Sequence, residues 1–433
     1  MLKTTRAEFD ALTPVGQALA RPEVPESLTA ANERLRDTAE ARWPFEPQRL
    51  LEAAREATGL DDFGDDYFRE ALDQLCASIQ NELNLSPVGH RNLHGQILDH
   101  LVQRLRFVDL WKRQPEILDE PIEAPIIIVG LPRSGTTFLQ QLLAADERLR
   151  PIPFWENLAP LPAHDPAIRP PEDAPLIAQA EANVEGLRRT APGLLALHQL
   201  GAEDPEEEIY LLGPAFATTV YEWVYMVPGF ARWFAKADHR AGYRFFRQVL
   251  QTLQWMRGGR RRFLLKAPQH MEQLVPLLEA FPDAVVVETV RDPLTAASSL
   301  ANLCCYGQRL RTERPDPLAA GVASEAIVSR LVQSYIRDRD LPFVDARFVT
   351  VPFADLMREP VALAERVLTA ARLDLTDKTR AEMQRYLDAN EGKERAPVDY
   401  GPADFGIDIP RLRDRFQGYY ARFGLSPDPK FAA

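Results

Sequence analysis

Cysteine is scarce in this chain: three residues among 433, at positions 76, 304 and 305. Cys304 and Cys305 are neighbours and cannot easily bridge each other. An odd, sparse set builds no disulfide framework, so a reducing compartment is expected. Long apolar runs are also missing. No stretch approaches the roughly 20 apolar residues of a membrane span. The opening MLKTTRAEFDALT carries charges where a secretory leader needs an apolar centre. A cytoplasmic protein without stable membrane insertion is therefore expected. A basic surplus is lacking too: 51 Lys and Arg stand against 63 Asp and Glu, for a net charge of −12. A general nucleic-acid binder would show the opposite sign. No nucleic-acid partner is expected, and a local basic site remains compatible with this balance.

What is present fits an ordinary globular protein, with 45% hydrophobic and 26% charged residues. Residues 1–120 read as a helical N-terminal region. HGQILDHLVQRLRFVDLW places Ile97, Leu101, Leu105 and Val108 at helical spacing. Residues 121–433 read as an α/β domain. IIIV (126–129), FLL (263–265), AVVVETV (284–290) and RFVTVPF (347–353) are short β-rich runs separated by helical patterns. Alternation of this kind predicts parallel strands joined by right-handed crossovers. Runs that are apolar at every position suit strands covered on both faces. The expected fold class is α/β: a P-loop-type, doubly wound, mainly parallel sheet flanked by helices. The Pro-rich stretch 164–175 is expected to be an exposed connection.

At the first strand, APIIIVGLPRSGTTFLQQLLAA runs from an apolar stretch through a Gly-to-Gly loop into a helical pattern. Such a loop wraps an anion, with glycines allowing close backbone approach and N–H groups of the next helix facing the ligand. The spacing is that of a nucleoside-triphosphate loop, but Thr136 stands where its Lys would be. That substitution counts against an ATPase or kinase. Arg133 supplies a cation from within the loop, suited to forked contact with oxygens. A second element follows the run AVVVETV: Arg291, Asp292, Pro293 and Ser299 in VRDPLTAASS, about 155 residues after the loop. An Arg at a strand end and a hydroxyl on the following helix can converge on one phosphate. Asp292 as N-cap and Pro293 at the first helical position account for the rest of that turn.

PRSGTTF (132–138) together with RDPLTAASS (291–299) resembles the sulfotransferases that use 3′-phosphoadenosine 5′-phosphosulfate (PAPS), over about residues 122–425. The loop form is nearest the tyrosylprotein and bacterial branches. The resemblance implies that Arg133, Ser134, Gly135, Thr136, Thr137 and Phe138 hold the 5′-phosphosulfate, and that Arg291 and Ser299 hold the 3′-phosphate. It also implies adenosine 3′,5′-bisphosphate (PAP) as product and no metal. A looser match in EGKERAPVDYGPADFG nominates Lys393 and Arg395 for closing the 3′-phosphate site, where a plain surface loop fits equally well.

Sulfuryl transfer needs one group to take the acceptor's proton and cations to neutralise the leaving phosphate. Glu156, in PIPFWENLAP, occupies the place of a catalytic Glu in several branches. Phe154 and Trp155 beside it could raise its pKa by desolvation. His270, in FLLKAPQHMEQL, is the second candidate base. Other branches place their His two residues after a Lys, whereas Lys266 and His270 are four apart. Glu156 ranks slightly ahead. Lys266 would emerge at the carboxyl end of its strand and, with Arg133, stabilise the transferring group.

Other features have plainer readings. EDPEEEIYLL reads as a helix start, with Asp204 as N-cap, Pro205 at the first position and glutamates in the first turn, rather than as a metal site. His90 and His94 lack the Glu of a metalloprotease helix. The aromatic segment 220–234 fits core or the lining of a pocket for a partly apolar small-molecule acceptor. Two rivals stay open. One is a diverged P-loop kinase or NTPase using ATP–Mg²⁺, and the other is a nucleotide-binding module without turnover. A homo-oligomer is compatible with everything above.

Overall fold

Five strands form one sheet: β1 (Ile126–Gly130), β2 (Leu149–Pro151), β3 (Arg262–Lys266), β4 (Val285–Val290) and β5 (Phe348–Pro352). They lie in the order β2-β3-β1-β4-β5, and every pairing is parallel. β1 and β4 are buried along their whole length. Side chains alternate between two packed layers, as the two-residue period of a strand requires. Ile127 and Val129 join Leu265 and Val286 on one face. Ile126 and Ile128 join Leu264, Val285 and Val287 on the other. Helix Thr136–Leu143 covers the second face, and helices Arg240–Arg257, Pro293–Gln308 and Pro317–Arg339 cover the first. This computed structural model describes residues 5, 8–9, 12–162, 165, 167, 172–198, 200–342, 344, 348–390 and 400–431.

The expected α/β sheet is therefore present, and four strands coincide with the four apolar runs. β2 went unforeseen. It has three residues, LRP, and sits at the sheet edge, where a Pro costs no ladder hydrogen bond. Half of the Pro-rich connection at 164–175, positions 164, 166 and 168–171, lies outside the described residues. The chain leaves β1 for β2 on one side, returns through β3 and crosses over to β4. β1 is thus the point where the winding reverses, and ligands bind outside the strand ends at such a point.

Helices Pro47–Thr58, Tyr67–Glu82 and Pro87–Arg113 are the longest of the N-terminal region, after the shorter Pro14–Ala20, Glu26–Leu35 and Ala39–Arg42. Ile97, Leu101 and Leu105 are fully buried, as their spacing implies, in a cluster shared with residues 209–234. Phe107, Val108, Leu110 and Trp111 of the same long helix belong to the core beside the sheet. No described helix is long and apolar enough to cross a membrane.

Arg104, at 1% exposure, fastens this long helix to its surroundings. It donates to the carbonyls of Phe63 (2.7 Å), Asp65 (2.8 Å) and Pro214 (3.1 Å), and to the Tyr67 hydroxyl (3.2 Å). Hydrogen bonds from a charged group contribute about 1.5–3 kcal/mol each, and stripping a buried network leaves its acceptors unpaired. Arg104→Ala should lower unfolding stability by about 3 kcal/mol or more, read from urea denaturation. A loss below about 1 kcal/mol would remove Arg104 from this role.

Candidate functional site

Gly130 closes β1 at a point where no side chain fits. A Cβ there would stand 2.1 Å from Thr289 Oγ1 and 2.8 Å from Ser134 Oγ. Thr289 is the partner of Gly130 across the β1–β4 ladder. The buried Ser134 hydroxyl donates to the Leu131 carbonyl and shares a hydrogen bond with the Thr289 hydroxyl, both at 2.6 Å. The loop is thereby stitched to β4. Arg133 (φ 69°) and Gly135 (φ 88°) both take left-handed backbone. For Arg133 this costs on the order of 1–3 kcal/mol, a strain that clusters at ligand-binding turns. Left-handed residues in such a turn point successive N–H groups into a concavity that suits an anion. Helix Thr136–Leu143 begins immediately after it.

The second element meets the loop directly. Arg291, just beyond β4, donates from Nη1 to the Arg133 carbonyl at 2.7 Å, and its guanidinium lies 3.9 Å from the Phe353 ring centre. Asp292 caps helix Pro293–Gln308, accepting from Leu294 N at 2.9 Å, with Pro293 at the first position. The same carboxylate accepts from the Tyr420 hydroxyl at 2.7 Å and from Asp428 N at 2.6 Å, so the C-terminal segment packs over this turn. Ser299 is buried two turns along the helix. Lys393 and Arg395 lie outside the described residues.

Lys266 ends β3, next to β1, and is fully buried. Its ammonium donates to Glu207 at 2.8 Å and lies 4.0 Å from Glu206. Burial works against its charge, but Glu207 and Glu206 hold it above its ordinary pKa. Glu208 accepts from the backbone N–H of Lys266 at 2.9 Å and pairs with His270 Nε2 at 2.7 Å. The acidic run is therefore not the expected helix start: Pro205 makes an isolated bridge with Pro153, residues 206–207 have no regular structure, and residues 208–212 form turns. Three consecutive carboxylates face separate partners, and a helix would have turned each about 100° from the next.

The two expected bases sit deeper than their sequence context suggests. Glu156, 1% exposed, is paired with Arg150 at 2.8 Å and with Arg257 at 2.9 Å. His270, fully buried, lies between Glu208 and the Tyr243 hydroxyl, which is 2.8 Å from Nδ1. Neither lines the cavity described next.

A cavity of about 270 Å³ opens beside the loop. Arg133, Gly135, Thr136, Thr137 and Phe138 of the loop line it. His198, Glu206 and Glu207 line it as well. The aromatic segment divides between its two readings: Tyr221, Phe230 and Phe234 are core, whereas Trp223 and Val224 reach this cavity. His198 was missed in the sequence, because no motif marks it. It pairs through Nε2 with Glu206 at 2.7 Å. The charge on Glu206 holds the ring above its ordinary pKa of 6.5, against burial. Burial also opposes the Glu206 carboxylate, but His198 and Lys266 outweigh it and bring the carboxyl down to about 2.

The signs of these shifts set a pH window. His198 is raised, so its stabilising charge is present below pH about 6.5 and lost as pH rises through the folded value. Glu206 is depressed, so its contribution is present above about 4.5 and lost as pH falls toward about 2. Ring NMR should show His198 titrating above 6.5, and Glu206→Gln should bring that midpoint down. An unchanged midpoint would break the pairing.

The chain was compared with known proteins. Residues 125–377 match the family described as the sulfotransferase family. The crystal structure of sulfotransferase STF9 from Mycobacterium avium is similar over 88% of this chain and 97% of that one, with 26% identity and a TM-score of 0.77. Sulfotransferase STF1 from Mycobacterium tuberculosis H37Rv is similar over 86% and 98%, with 29% identity and a TM-score of 0.71. No curated protein sequence matches the chain. With the family match spanning more than half its length and the anion loop standing at the reversal point of the sheet, the chain belongs to the sulfotransferase family.

Proposed function

We propose that this protein transfers a sulfuryl group from PAPS to a hydroxyl or amine of a small acceptor held in the cavity. The observation that carries the reading is the hydrogen bond from Arg291 to the Arg133 carbonyl. It brings a cation from the end of β4 onto the anion loop of β1, as a ligand with phosphates at both 5′ and 3′ positions requires. The concave loop, the Thr136 and Thr137 hydroxyls and the Arg291 guanidinium fit such a donor by their chemistry. Thr136 in place of a Lys speaks against the NTPase alternative.

The donor supplies the sulfuryl group and departs as PAP. Arg133, Ser134, Gly135, Thr136, Thr137 and Phe138 form the loop that holds its 5′ end. Arg291 and Ser299 hold the 3′-phosphate, with Lys393 and Arg395 as further candidates there. Arg133 neutralises charge on the leaving phosphate, whereas Lys266, expected to share that task, is fully buried against Glu207 and serves to position that carboxylate. The acceptor's oxygen or nitrogen bonds to sulfur as the sulfur–oxygen bond to the phosphate breaks, and its proton must go to a base.

Within this proposal, His198 is the proton acceptor. With Nε2–H donated to Glu206, the neutral ring keeps the Nδ1 lone pair, and a carboxylate behind a histidine strengthens it as a base. Glu156 and His270 then act as positioning residues. Glu156 holds Arg150 and Arg257 together, and His270 holds Glu208 against the Lys266 backbone.

A thermal-shift series tests the donor. PAP should stabilise the protein, and Arg291→Ala should remove most of that shift. Stabilisation by ATP–Mg²⁺ alone would sink the reading. Labelled-sulfate transfer across an alcohol and phenol panel tests the base. His198→Ala should cost about 10²–10⁴-fold in turnover while leaving the PAP shift in place. Full turnover in His198→Ala, with loss in Glu156→Gln or His270→Ala, would return the role to those residues. A PAP shift without transfer to any panel member, in wild type, would favour the binding-module alternative.

A further inference from the structure

Arg311 lines the cavity and has no task in donor binding or proton transfer. It lies just past helix Pro293–Gln308, and its backbone is anchored, its carbonyl accepting from Ser86 N at 2.9 Å. The long N-terminal helix presses against it, since a Cβ at Gly89 would stand 2.1 Å from the Arg311 carbonyl oxygen. The guanidinium donates from Nη1 to the Gly307 carbonyl at 2.6 Å and lies 5.2 Å from the Tyr225 ring centre. A side chain on Gly307 would meet Nη1 at 2.6 Å, so the glycine makes room for it.

The two carboxylates at this cavity already have counter-charges. Glu206 faces His198, Glu207 faces Lys266, and Arg133 belongs to the loop. Among the described residues Arg311 meets no carboxylate. The rest of the lining is mostly aliphatic, with Leu187, Leu194, Leu195, Leu200, Leu300 and Leu303. Trp223, also in the lining, has a buried indole N–H with no acceptor among the described residues. A guanidinium beside an apolar surface favours an anionic partner, and its planar fork suits a carboxylate. About 270 Å³ holds roughly nine water-sized groups at about 30 Å³ each.

From this we infer that the cavity takes amphipathic alcohols, medium-length apolar molecules that carry the reacting hydroxyl at one end and a carboxylate for Arg311 at the other. The inference rests on the sulfotransferase reading and specifies its acceptor class.

Calorimetric titration of the PAP-loaded full chain tests it, with 6-hydroxyhexanoate and its neutral counterpart 1,6-hexanediol as probes. The acid should bind at least about tenfold more tightly than the diol, as one charge-assisted contact implies. Arg311→Met should erase that preference, Arg311→Lys should restore part of it, and both variants should keep the PAP affinity. Equal binding of acid and diol to wild type, or binding of neither, overturns the inference and needs no variant. Loss of PAP affinity in Arg311→Met would assign the residue to the donor and overturn it as well. Failure of PAP to bind wild type would instead strike the sulfotransferase reading beneath it.

Discussion

The site depends on how closely Gly130 and Thr289 approach across β1 and β4. A Cβ on Gly130 would come within 2.1 Å of the Thr289 hydroxyl, so only glycine allows this spacing. The contact lets Thr289 hold Ser134, and Ser134 fixes the loop while Arg133 stays in left-handed backbone. Two residues beyond Thr289, Arg291 then lies in reach of the Arg133 carbonyl. Elements 158 residues apart in sequence are thereby held at the carboxyl end of the sheet. Lys266 arrives at the same end because β3 is the other neighbour of β1.

Buried charge organises the second half of the site. Glu206, Glu207 and Glu208 each take a different partner, His198, Lys266 and His270. Buried ion pairs contribute little net stability over an apolar core, whereas removing one partner is costly. Their value here is placement. The run fixes one ring at the cavity wall, one ammonium at the end of β3 and one imidazole behind both. Glu156 forms a separate group with Arg150 and Arg257, whereas Phe154, two residues earlier, lines the cavity.

Much of this was legible in the sequence. β1, β3, β4 and β5 announce themselves because strands buried on both faces are apolar at every position. The loop is legible because its glycines and hydroxyls serve backbone geometry, which is local. Asp292 and Pro293 likewise act within one turn. β2 was hidden because three residues at a sheet edge leave no pattern. The acidic run carries the same Asp-Pro-Glu signals as a helix start, and only counter-charges brought in by β3 and by residue 198 decide against that. Glu156 looked available because Arg150 and Arg257 become its neighbours only in the folded chain. Pairing of buried charges is tertiary information, and no spacing rule encodes it.

Under the proposed function, the loop and Arg291 together read a nucleotide phosphorylated at both ends. Calorimetric comparison of PAP with adenosine 5′-monophosphate tests it most directly, because the two differ only in the 3′-phosphate. The account predicts that PAP binds at least about tenfold more tightly, the worth of one charge-assisted phosphate contact. Equal affinity for the two nucleotides would contradict it.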